Sequence, residues 1–302
     1  MLKRSTSVAL MLVLLGTSGA LAKLKVVATM PDIGAVAQAV GGDLVEITTL
    51  AAPNQDPHYV DPRPSLMLPL SRADLLIING MELEKAWLDP LITASRNSEL
   101  QPGSQGLLDA SIFVKRMQVP TVALDRAMGD IHAAGNPHYS YDPRQMRQVA
   151  LGIGERLSRL DPANAAQYAA RGNAYVKELD AIITAERERF SKLPPEKRRV
   201  VSYHQSLIYL TDWLGIQEII NVEPRPGIPP TPSHTAKVLQ TMKGAKLEVI
   251  LQEEFYPRKV SDTLARLVKG RVVLLPGGVT KGESYIDRIR RTAEVIYVAL
   301  SK

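Results

Sequence analysis

The histidines of this sequence, with the residues around them, are its candidates for a metal-binding site. His58 lies in Asp56-Pro57-His58 and His138 lies in Asn136-Pro137-His138, and each segment returns to Asp-Pro a few residues later. Proline fixes its own φ and restricts the residue before it, so both imidazoles are expected on stiff loops. His204 follows the apolar run at 200–203, where a strand is expected to end and a helix to begin. Three imidazoles presented from strand-end loops predict a metal site.

The donor types favour zinc as the metal. Neutral imidazole is a good ligand for Zn²⁺, and three histidines with one oxygen donor complete a tetrahedral shell, whereas manganese prefers carboxylates. The chain has no cysteine, so thiolate sites are excluded. Ligands so scattered have no diagnostic interval, and a single histidine is more often a surface or capping residue than a ligand. The repeated pattern around His58 and His138 is what favours a site.

The N-terminal segment predicts export. Residues 1–22 combine Lys3 and Arg4 with an apolar run at 8–15 and end in Ala20-Leu21-Ala22, the pattern of a cleaved signal peptide. The alternative is a buried N-terminal helix. No other stretch approaches the ~20 apolar residues of a membrane span, so we expect a soluble periplasmic protein. The missing cysteines also exclude disulfides and a lipid-modified cysteine.

Length and charge limit the remaining classes. With 302 residues and 45% hydrophobic content, the chain can bury a sizeable core and is long enough for about two domains. The formal net charge of +6 falls to +4 without Lys3 and Arg4. The remaining excess is dispersed, which is typical of solvated faces, so we expect no nucleic-acid partner.

Strand and helix patterns alternate in both halves of the chain. This alternation predicts parallel sheets covered by helices. Between the halves, a break at Asp161-Pro162 precedes a helical pattern at 163–192 that could span about 45 Å. The alternative for this segment is a coiled coil, but its apolar spacing is not a sustained heptad. The predicted divisions are a signal peptide at 1–22, an N-terminal α/β lobe at 23–160, a linker helix at 161–193 and a C-terminal α/β lobe at 194–302.

Several short motifs, in order along the whole mature chain, resemble one family of metal receptors. They are Asp56 to Pro62, Ala73-Asp74-Leu75 with Asn79-Gly80, Leu83 to Leu88, Asn136-Pro137-His138, Leu160 to Asn164, and Pro232-Ser233. The family is that of the zinc- and manganese-type solute-binding proteins of bacterial ABC transporters, the TroA-like or ZnuA-like group (cluster A-I).

The resemblance implies a fold, a site and a partner. It implies two (β/α)4 lobes with parallel sheets, joined by one long rigid α-helix, and a metal in the inter-lobe cleft bound by His58, His138 and His204. It also implies a monomer that captures Zn²⁺ and delivers it to the membrane permease of a metal ABC transporter. The manganese branch of the family uses a carboxylate in place of the third histidine, so His204 favours zinc. Another divalent metal, Mn²⁺ or Fe²⁺, is the alternative.

The fourth ligand departs from the family pattern. The family places an aspartate in a Leu-Asp-Pro run, where this chain has Leu274-Leu275-Pro276. Glu253 and Glu254 are carboxylates near the same predicted sheet edge. Our hypothesis is that water or Glu254 fills the fourth position.

Two histidines remain outside this predicted set. The histidine-rich loop of many zinc-binding relatives would fall just before His138, where this chain has a short segment with His132 alone. We interpret His132 as an ordinary loop histidine, with a helper ligand as the alternative. His234 follows Ser233 at a predicted helix start and is expected to be structural or solvated.

A zinc-dependent hydrolase is the rival class of function. A three-histidine zinc with an open position can lower the pKa of bound water to about 7, and Glu253 or Glu254 could serve as a base. The sequence has no H-E-x-x-H helix, no G-x-S-x-G elbow and no phosphate-binding loop. We therefore predict a binding protein and not an enzyme.

Overall fold

The computed structural model describes residues 22–122 and 128–302. The predicted signal peptide at 1–22 therefore lies almost wholly outside the described residues. Within these ranges, no helix is both long and apolar enough to cross a bilayer.

The N-terminal sheet has four parallel strands in the order β2-β1-β3-β4. Val26 of β1 pairs with Ile47 of β2 on one side and with Leu75 of β3 on the other. The central strand β3 is an unbroken apolar run because helices cover both of its faces. The strands are β1 Leu24–Ala28, β2 Val45–Thr49, β3 Leu75–Ile78 and β4 Leu107–Asp109.

The C-terminal sheet repeats this topology, with four parallel strands in the order β6-β5-β7-β8. In each sheet the first strand of the lobe lies inside, so strand order reverses beside it. Ligands of open α/β sheets bind at such reversals, outside the carboxyl ends of the strands. The strands are β5 Arg199–Ser202, β6 Gln217–Asn221, β7 Val249–Glu253 and β8 Arg271–Leu275.

Helices cover both sheets, which confirms the predicted fold class. Their starts follow local chemistry: α4 begins at Pro143, and the side chain of Asp142 accepts a hydrogen bond from the Arg144 N–H. The helices are α1 Pro31–Gly41, α2 Met67–Ser71, α3 Leu88–Ser95, α4 Pro143–Leu160, α5 Ala165–Ser191, α6 Ile208–Leu214, α7 Pro232–Ala245, α8 Lys259–Leu267 and α9 Tyr285–Ser301.

The long helix α5 connects the lobes, as predicted. Its 27 residues span about 40 Å, and a short 3₁₀ turn at Pro162–Asn164 leads into it. It packs against α1 and α4 of the N-terminal lobe and against α6 and α9 of the C-terminal lobe. Its buried positions include Tyr168, Leu179 and Phe190. These side chains belong to one apolar cluster that contains buried residues of both lobes, so α5 is packed into the core that the lobes share.

Two helix starts differ from the sequence prediction. The sequence predicts a helix capped by Ser233 after the proline-rich loop at 224–232. Helix α7 instead begins at Pro232 and is capped by Thr231, whose side chain accepts from the His234 N–H, so Ser233 is a first-turn residue. Proline needs no hydrogen-bond acceptor at the first position, which lets the preceding threonine cap the helix. Leu83, Trp87, Leu88, Leu91 and Ile92 have helical spacing and predict a helix from Leu83. Helix α3 begins only at Leu88, whereas residues 81–87 form hydrogen-bonded turns, with Met81 and Glu82 at positive φ.

Candidate metal site

The structure brings His58, His138 and His204 together between the two sheets. Each offers one ring nitrogen, and these nitrogens lie within 4.8 Å of one another. The ring centroids of His58 and His138 are 5.1 Å apart, and those of His138 and His204 are 5.4 Å apart. His58 is 6% exposed and His204 is 3% exposed. Three imidazoles from distant parts of the chain therefore face one point in the cleft.

The two Pro-His loops have the same internal hydrogen bonding. Oδ1 of Asp56 accepts from the backbone N–H of His58 at 3.0 Å and from its Nδ1 at 2.7 Å. Oδ1 of Asn136 accepts from the backbone N–H of His138 at 3.0 Å and from its Nδ1 at 2.9 Å. The residue two positions before each histidine thus forms the turn and orients the ring.

The carbonyl groups of both loop prolines are held by buried side chains. The indole Nε1 of Trp87 donates to the Pro57 carbonyl at 2.9 Å, and the amide of Asn79 donates to the Pro137 carbonyl at 3.0 Å. The hydroxyl of Tyr139 in turn donates to the Asn79 carbonyl at 2.7 Å. These bonds attach both loops to the N-terminal lobe, so the positions of the two imidazoles are set by the core beneath them.

His204 is positioned by the C-terminal lobe. It comes two residues after strand β5 ends, and its Nδ1 lies 2.7 Å from Oε2 of Glu223, which follows strand β6. The Glu223 N–H donates to the Tyr203 carbonyl at 3.0 Å, which extends the β5–β6 pairing toward the cleft. Parallel strands end at the same sheet edge, so a side chain after β6 can reach one after β5.

These contacts fix the tautomer of all three rings. A neutral imidazole that donates from Nδ1 has an unprotonated Nε2. Because Asp56, Asn136 and Glu223 each accept from an Nδ1, each of the three histidines has an unprotonated Nε2 that can bind a metal. Oxygen partners of this kind orient a ligand ring and raise its basicity.

The ionisation of the ligands follows from their surroundings. Burial lowers the pKa of His138 well below its ordinary value, and the neighbouring His58 and His204 lower it further. Burial is the largest influence and acts to lower the pKa of His204, but the hydrogen bond and charge of Glu223, together with the charges of Glu253 and Asp56, outweigh it and raise that pKa. In mild acid, a metal must therefore displace a proton from His204, whereas His138 is already neutral.

The carboxylates considered for the fourth position are placed differently. The Glu254 side chain is exposed, whereas Glu253 is buried and accepts a hydrogen bond from the Ser206 hydroxyl. Leu275 is fully buried at the end of β8. In the described part of the chain, the group of potential metal ligands contains the three histidines and no carboxylate. Glu254 is thus a weaker candidate than the sequence suggests.

The remaining two histidines have different surroundings. His132 Nε2 lies 3.2 Å from His58 Nε2, and the two rings stack with centroids 5.3 Å apart. Burial and the charge of His58 lower the pKa of His132 to about 4. This contact with a site residue differs from the ordinary loop position expected for it. His234 lies in the first turn of α7, and its Nε2 lies 3.0 Å from the Asn221 carbonyl, in agreement with the structural role predicted.

Three residues that orient the imidazoles are not among the site residues predicted from the sequence. Asp56 and Asn136 had a detectable signal, because both stand two positions before histidine in the repeated Asp/Asn-Pro-His pattern. Glu223 had none, since nothing near it in the sequence points to His204. Its role depends on the neighbouring positions of β5 and β6 in the sheet.

Two cavities reach the cluster from the surface. One of about 330 Å³ is bordered by His132, His138, His204 and Gln118. The other, of about 240 Å³, is bordered by His58, His132 and Glu82. His132 lies between them and belongs to both walls. An ion of small radius therefore has a route to the three ring nitrogens.

Comparison with known proteins identifies the family. The family described as zinc-uptake complex component A, periplasmic (ZnuA), matches residues 26–299. The iron-binding protein YfeA of Yersinia pestis is 26% identical over 288 residues, covering 91% of this chain and 85% of that protein. PsaA of Streptococcus pneumoniae, a manganese ABC transporter substrate-binding lipoprotein, is 25% identical over 81% of this chain and 76% of its own length.

Solved structures agree in fold. A crystal structure of ZnuA superposes with a TM-score of 0.78 at 23% identity, covering 92% of this chain and 99% of that one. The Mn-bound periplasmic metal binding protein of Candidatus Liberibacter asiaticus gives 0.76 at 22% identity, with the same coverage. Because the family match spans nearly the whole described chain, this protein belongs to the ZnuA family of metal-binding ABC transporter components, which are solute-binding proteins and not enzymes.

Proposed function

We propose that this protein binds Zn²⁺ in the periplasm with high affinity and delivers it to the membrane permease of an ABC transporter. The observation that carries the proposal is the convergence of three imidazole nitrogens, from His58, His138 and His204, within 4.8 Å of one another. Bonds from zinc to imidazole nitrogen are about 2.0–2.1 Å, so the rings need only a small further approach to share one ion.

The donor set supports zinc over the metals named for relatives. Iron and manganese appear in the names of YfeA and PsaA, so members of similar sequence are associated with different ions. Manganese favours carboxylate and water ligands, whereas zinc accepts imidazole readily. With His204 as the third ligand, the cluster offers three nitrogens and no carboxylate oxygen in the described residues. Binding of Mn²⁺ or Fe²⁺ is the alternative function.

Nearby carboxylates balance the charge of the ion. Asp56 and Glu223 lie behind two of the ligand rings, each 2.7 Å from an Nδ1. Burial would raise the pKa of Asp56, but the two hydrogen bonds and the charge of His58, with the charge of His204, together outweigh it and lower that pKa. A divalent cation bound by neutral rings would thus have an ionised carboxylate behind it, which favours retention in a partly dry cleft.

The location and assembly follow from the same role. We infer that residues 1–22 are removed as a signal peptide and that the mature protein acts as a monomer. We further propose that the chain divides into lobes at 23–160 and 194–302 with a linker at 161–193, so that the ion would lie between the two lobes. A permease could then distinguish loaded from empty protein by contacts with both.

Zinc titration of matched variants tests the proposal. We expect purified mature protein to bind one Zn²⁺ and His138→Ala to lose at least about tenfold in affinity, measured by competition with a chromophoric chelator. His234→Ala is the control, because this histidine contacts a backbone carbonyl away from the cluster. Equal losses in the two variants would refute the site. Tighter binding of Mn²⁺ than of Zn²⁺ by the unaltered protein would favour the alternative metal.

A further inference from the structure

A short loop brings a fourth histidine to the cluster. The loop at 128–135 is attached to both lobes: the Asp130 N–H donates to the Pro226 carbonyl at 2.9 Å, and the Ala133 N–H donates to Oε2 of Glu82 at 2.9 Å. The Tyr59 hydroxyl also donates to Asp130. These attachments flank His132 on either side, so its ring is directed into the cleft by fixed neighbours.

The distance between His132 and His58 fits shared coordination. Their Nε2 atoms are 3.2 Å apart. In a tetrahedral zinc site with bonds of about 2.0–2.1 Å, two ligand nitrogens are about 3.3–3.4 Å apart. The pair already has this spacing. The distance from His132 Nε2 to His58 Nε2 is therefore the distance expected between two ligands of one zinc ion. His132 is outside the group of three histidines whose ring nitrogens all lie within 4.8 Å of one another, so it must move toward His138 and His204 for four rings to share one ion.

Without a metal, the same two nitrogens share a proton. His58 donates from Nδ1 to Asp56, so its Nε2 is an acceptor and His132 must donate from Nε2. When a metal ion binds the Nε2 atoms of both rings, the proton of His132 moves to its Nδ1. Among the described residues, no contact of this Nδ1 opposes that tautomer. No net proton is released, and the hydrogen bond is exchanged for two metal–nitrogen bonds.

The other candidates for the fourth position are less suitable. Glu254 is exposed and Leu275 has no donor atom. Oε1 of Glu253 accepts from the Ser206 hydroxyl, and its Oε2 is buried without a partner but is outside the group of ligand atoms that lie within 4.8 Å of one another. Structural zinc sites are almost always four-coordinate, so three imidazoles need one further donor. His132 has an unprotonated nitrogen available after the tautomer change and lies on the same side of the cluster as the two cavities that reach it.

We propose that His132 is the fourth ligand of the bound metal, so that the site consists of four imidazoles, one of which belongs to the loop covering the cleft. This inference rests on the metal-binding function proposed above. It goes further by assigning the loop a direct role in the site. Removing His132 should open the site to water, and movement of the loop should accompany release of the ion.

Cobalt-substituted protein provides a direct count of ligand rings. Co²⁺ shifts the NMR resonances of each imidazole bound to it, so the loaded protein should show four sets of shifted ring signals. His132→Ala should show three sets and bind Zn²⁺ at least about tenfold more weakly in a chelator competition. Tyr59→Phe is the matched control: it removes one attachment of the loop but no donor atom, so four sets should remain.

The possible results separate this inference from the function. Three sets in the unaltered protein, with unchanged zinc affinity in His132→Ala, would overturn the role of His132 while leaving the three-histidine site intact. The same loss in Tyr59→Phe as in His132→Ala, with three sets in all proteins, would reduce the loop to a cover and also overturn it. Failure of His138→Ala to weaken binding would instead remove the metal-binding proposal itself.

Discussion

Arg288 and Asp32 form an ion pair across the two lobes, with Nη1 of the arginine 3.1 Å from Oδ2 of the aspartate and neither side chain exposed. Asp32 is in the first turn of α1, and its Oδ1 accepts from the Val279 N–H at 3.0 Å. Arg288 is in α9, donates to the Pro276 carbonyl at 3.0 Å, and lies 4.2 Å from the centre of the Tyr141 ring. The pair thus connects the first helix to the segment after β8.

Loss of this arginine should destabilise the protein strongly. Arg288→Met leaves the Asp32 carboxylate buried without its partner, and breaking a buried pair in this way costs about 3–5 kcal/mol. We expect a decrease of this size in the free energy of unfolding measured with urea. Arg258→Ala is the control, because its pair with Asp262 is exposed and contributes about 1 kcal/mol or less. Similar effects of the two variants would contradict the importance of the buried pair.

Glu84 should make stability decrease with rising pH. Its carboxylate accepts hydrogen bonds from the Thr29 hydroxyl and from the backbone N–H groups of Asn79 and Gly80, but burial raises its pKa to about 7 from an ordinary value of 4.5. Between these values the folded protein holds a proton that the unfolded chain releases. The contribution of Glu84 to stability is therefore present below about pH 4.5 and is lost as pH rises through about 7.

This loss can be measured against a variant that does not titrate. The difference between a pKa of 4.5 in the unfolded chain and about 7 in the folded protein corresponds to about 3 kcal/mol in the free energy of unfolding, between a pH below both values and a pH above both. Urea unfolding of the unaltered protein near pH 5 and near pH 7.5 should show most of this decrease in the free energy of unfolding. Glu84→Gln should show a smaller decrease over the same range. If both proteins lose equal stability over this range, other groups cause the pH dependence and the assignment to Glu84 is wrong.

Two helical glycines should respond oppositely to alanine. A Cβ at Gly152 in α4 would overlap with the ring of Phe113, whereas a Cβ at Gly244 in α7 would meet no atom within 4 Å. Gly152→Ala should therefore lower the unfolding free energy by about 1–3 kcal/mol through overpacking. Gly244→Ala should raise it by about 0.5–1 kcal/mol, because alanine loses less backbone entropy. Thermal unfolding of both variants checks this, and equal signs would be inconsistent with the structure.

Zinc affinity should fall in mild acid, and Glu223 should set where the fall begins. Burial acts to lower the pKa of His204, but Glu223 raises it above the ordinary value of 6.5. Protons therefore begin to compete with the ion for His204 at a pH above 6.5, and this competition strengthens as the pH falls. Glu223→Gln removes the raising effect and should move the onset to lower pH. It should also weaken binding at neutral pH by about 10–100-fold, because His204 loses its orienting partner.

Chelator competitions over a pH series measure both effects. His234→Ala serves as the control and should follow the unaltered protein. An unchanged onset in Glu223→Gln would show that another ligand governs the competition with protons.

The fold was largely predictable from local pattern. The apolar run Leu75-Leu76-Ile77 predicts a strand covered on both faces, and the structure places it at the centre of a sheet. Pro143 after Asp142 predicts the start of α4, because this pair satisfies the helix terminus within three residues. The errors at α3 and α7 arose where backbone conformation decided the boundary: hydrogen-bonded turns over residues 81–87, and a threonine cap before Pro232.

The site was predictable only in its repeated part. In Asp56-Pro57-His58 and Asn136-Pro137-His138, the residues that form the turn lie within the motif itself. Residue order alone therefore indicates that these imidazoles stand on rigid loops with an oxygen acceptor behind each ring. Tertiary structure alone decided that Glu223 orients His204, that Glu254 is exposed, and that His132 contacts His58. The difference is one of separation along the sequence. Hydrogen bonds within three residues follow from residue order, whereas contacts between distant segments depend on how the two sheets and α5 pack.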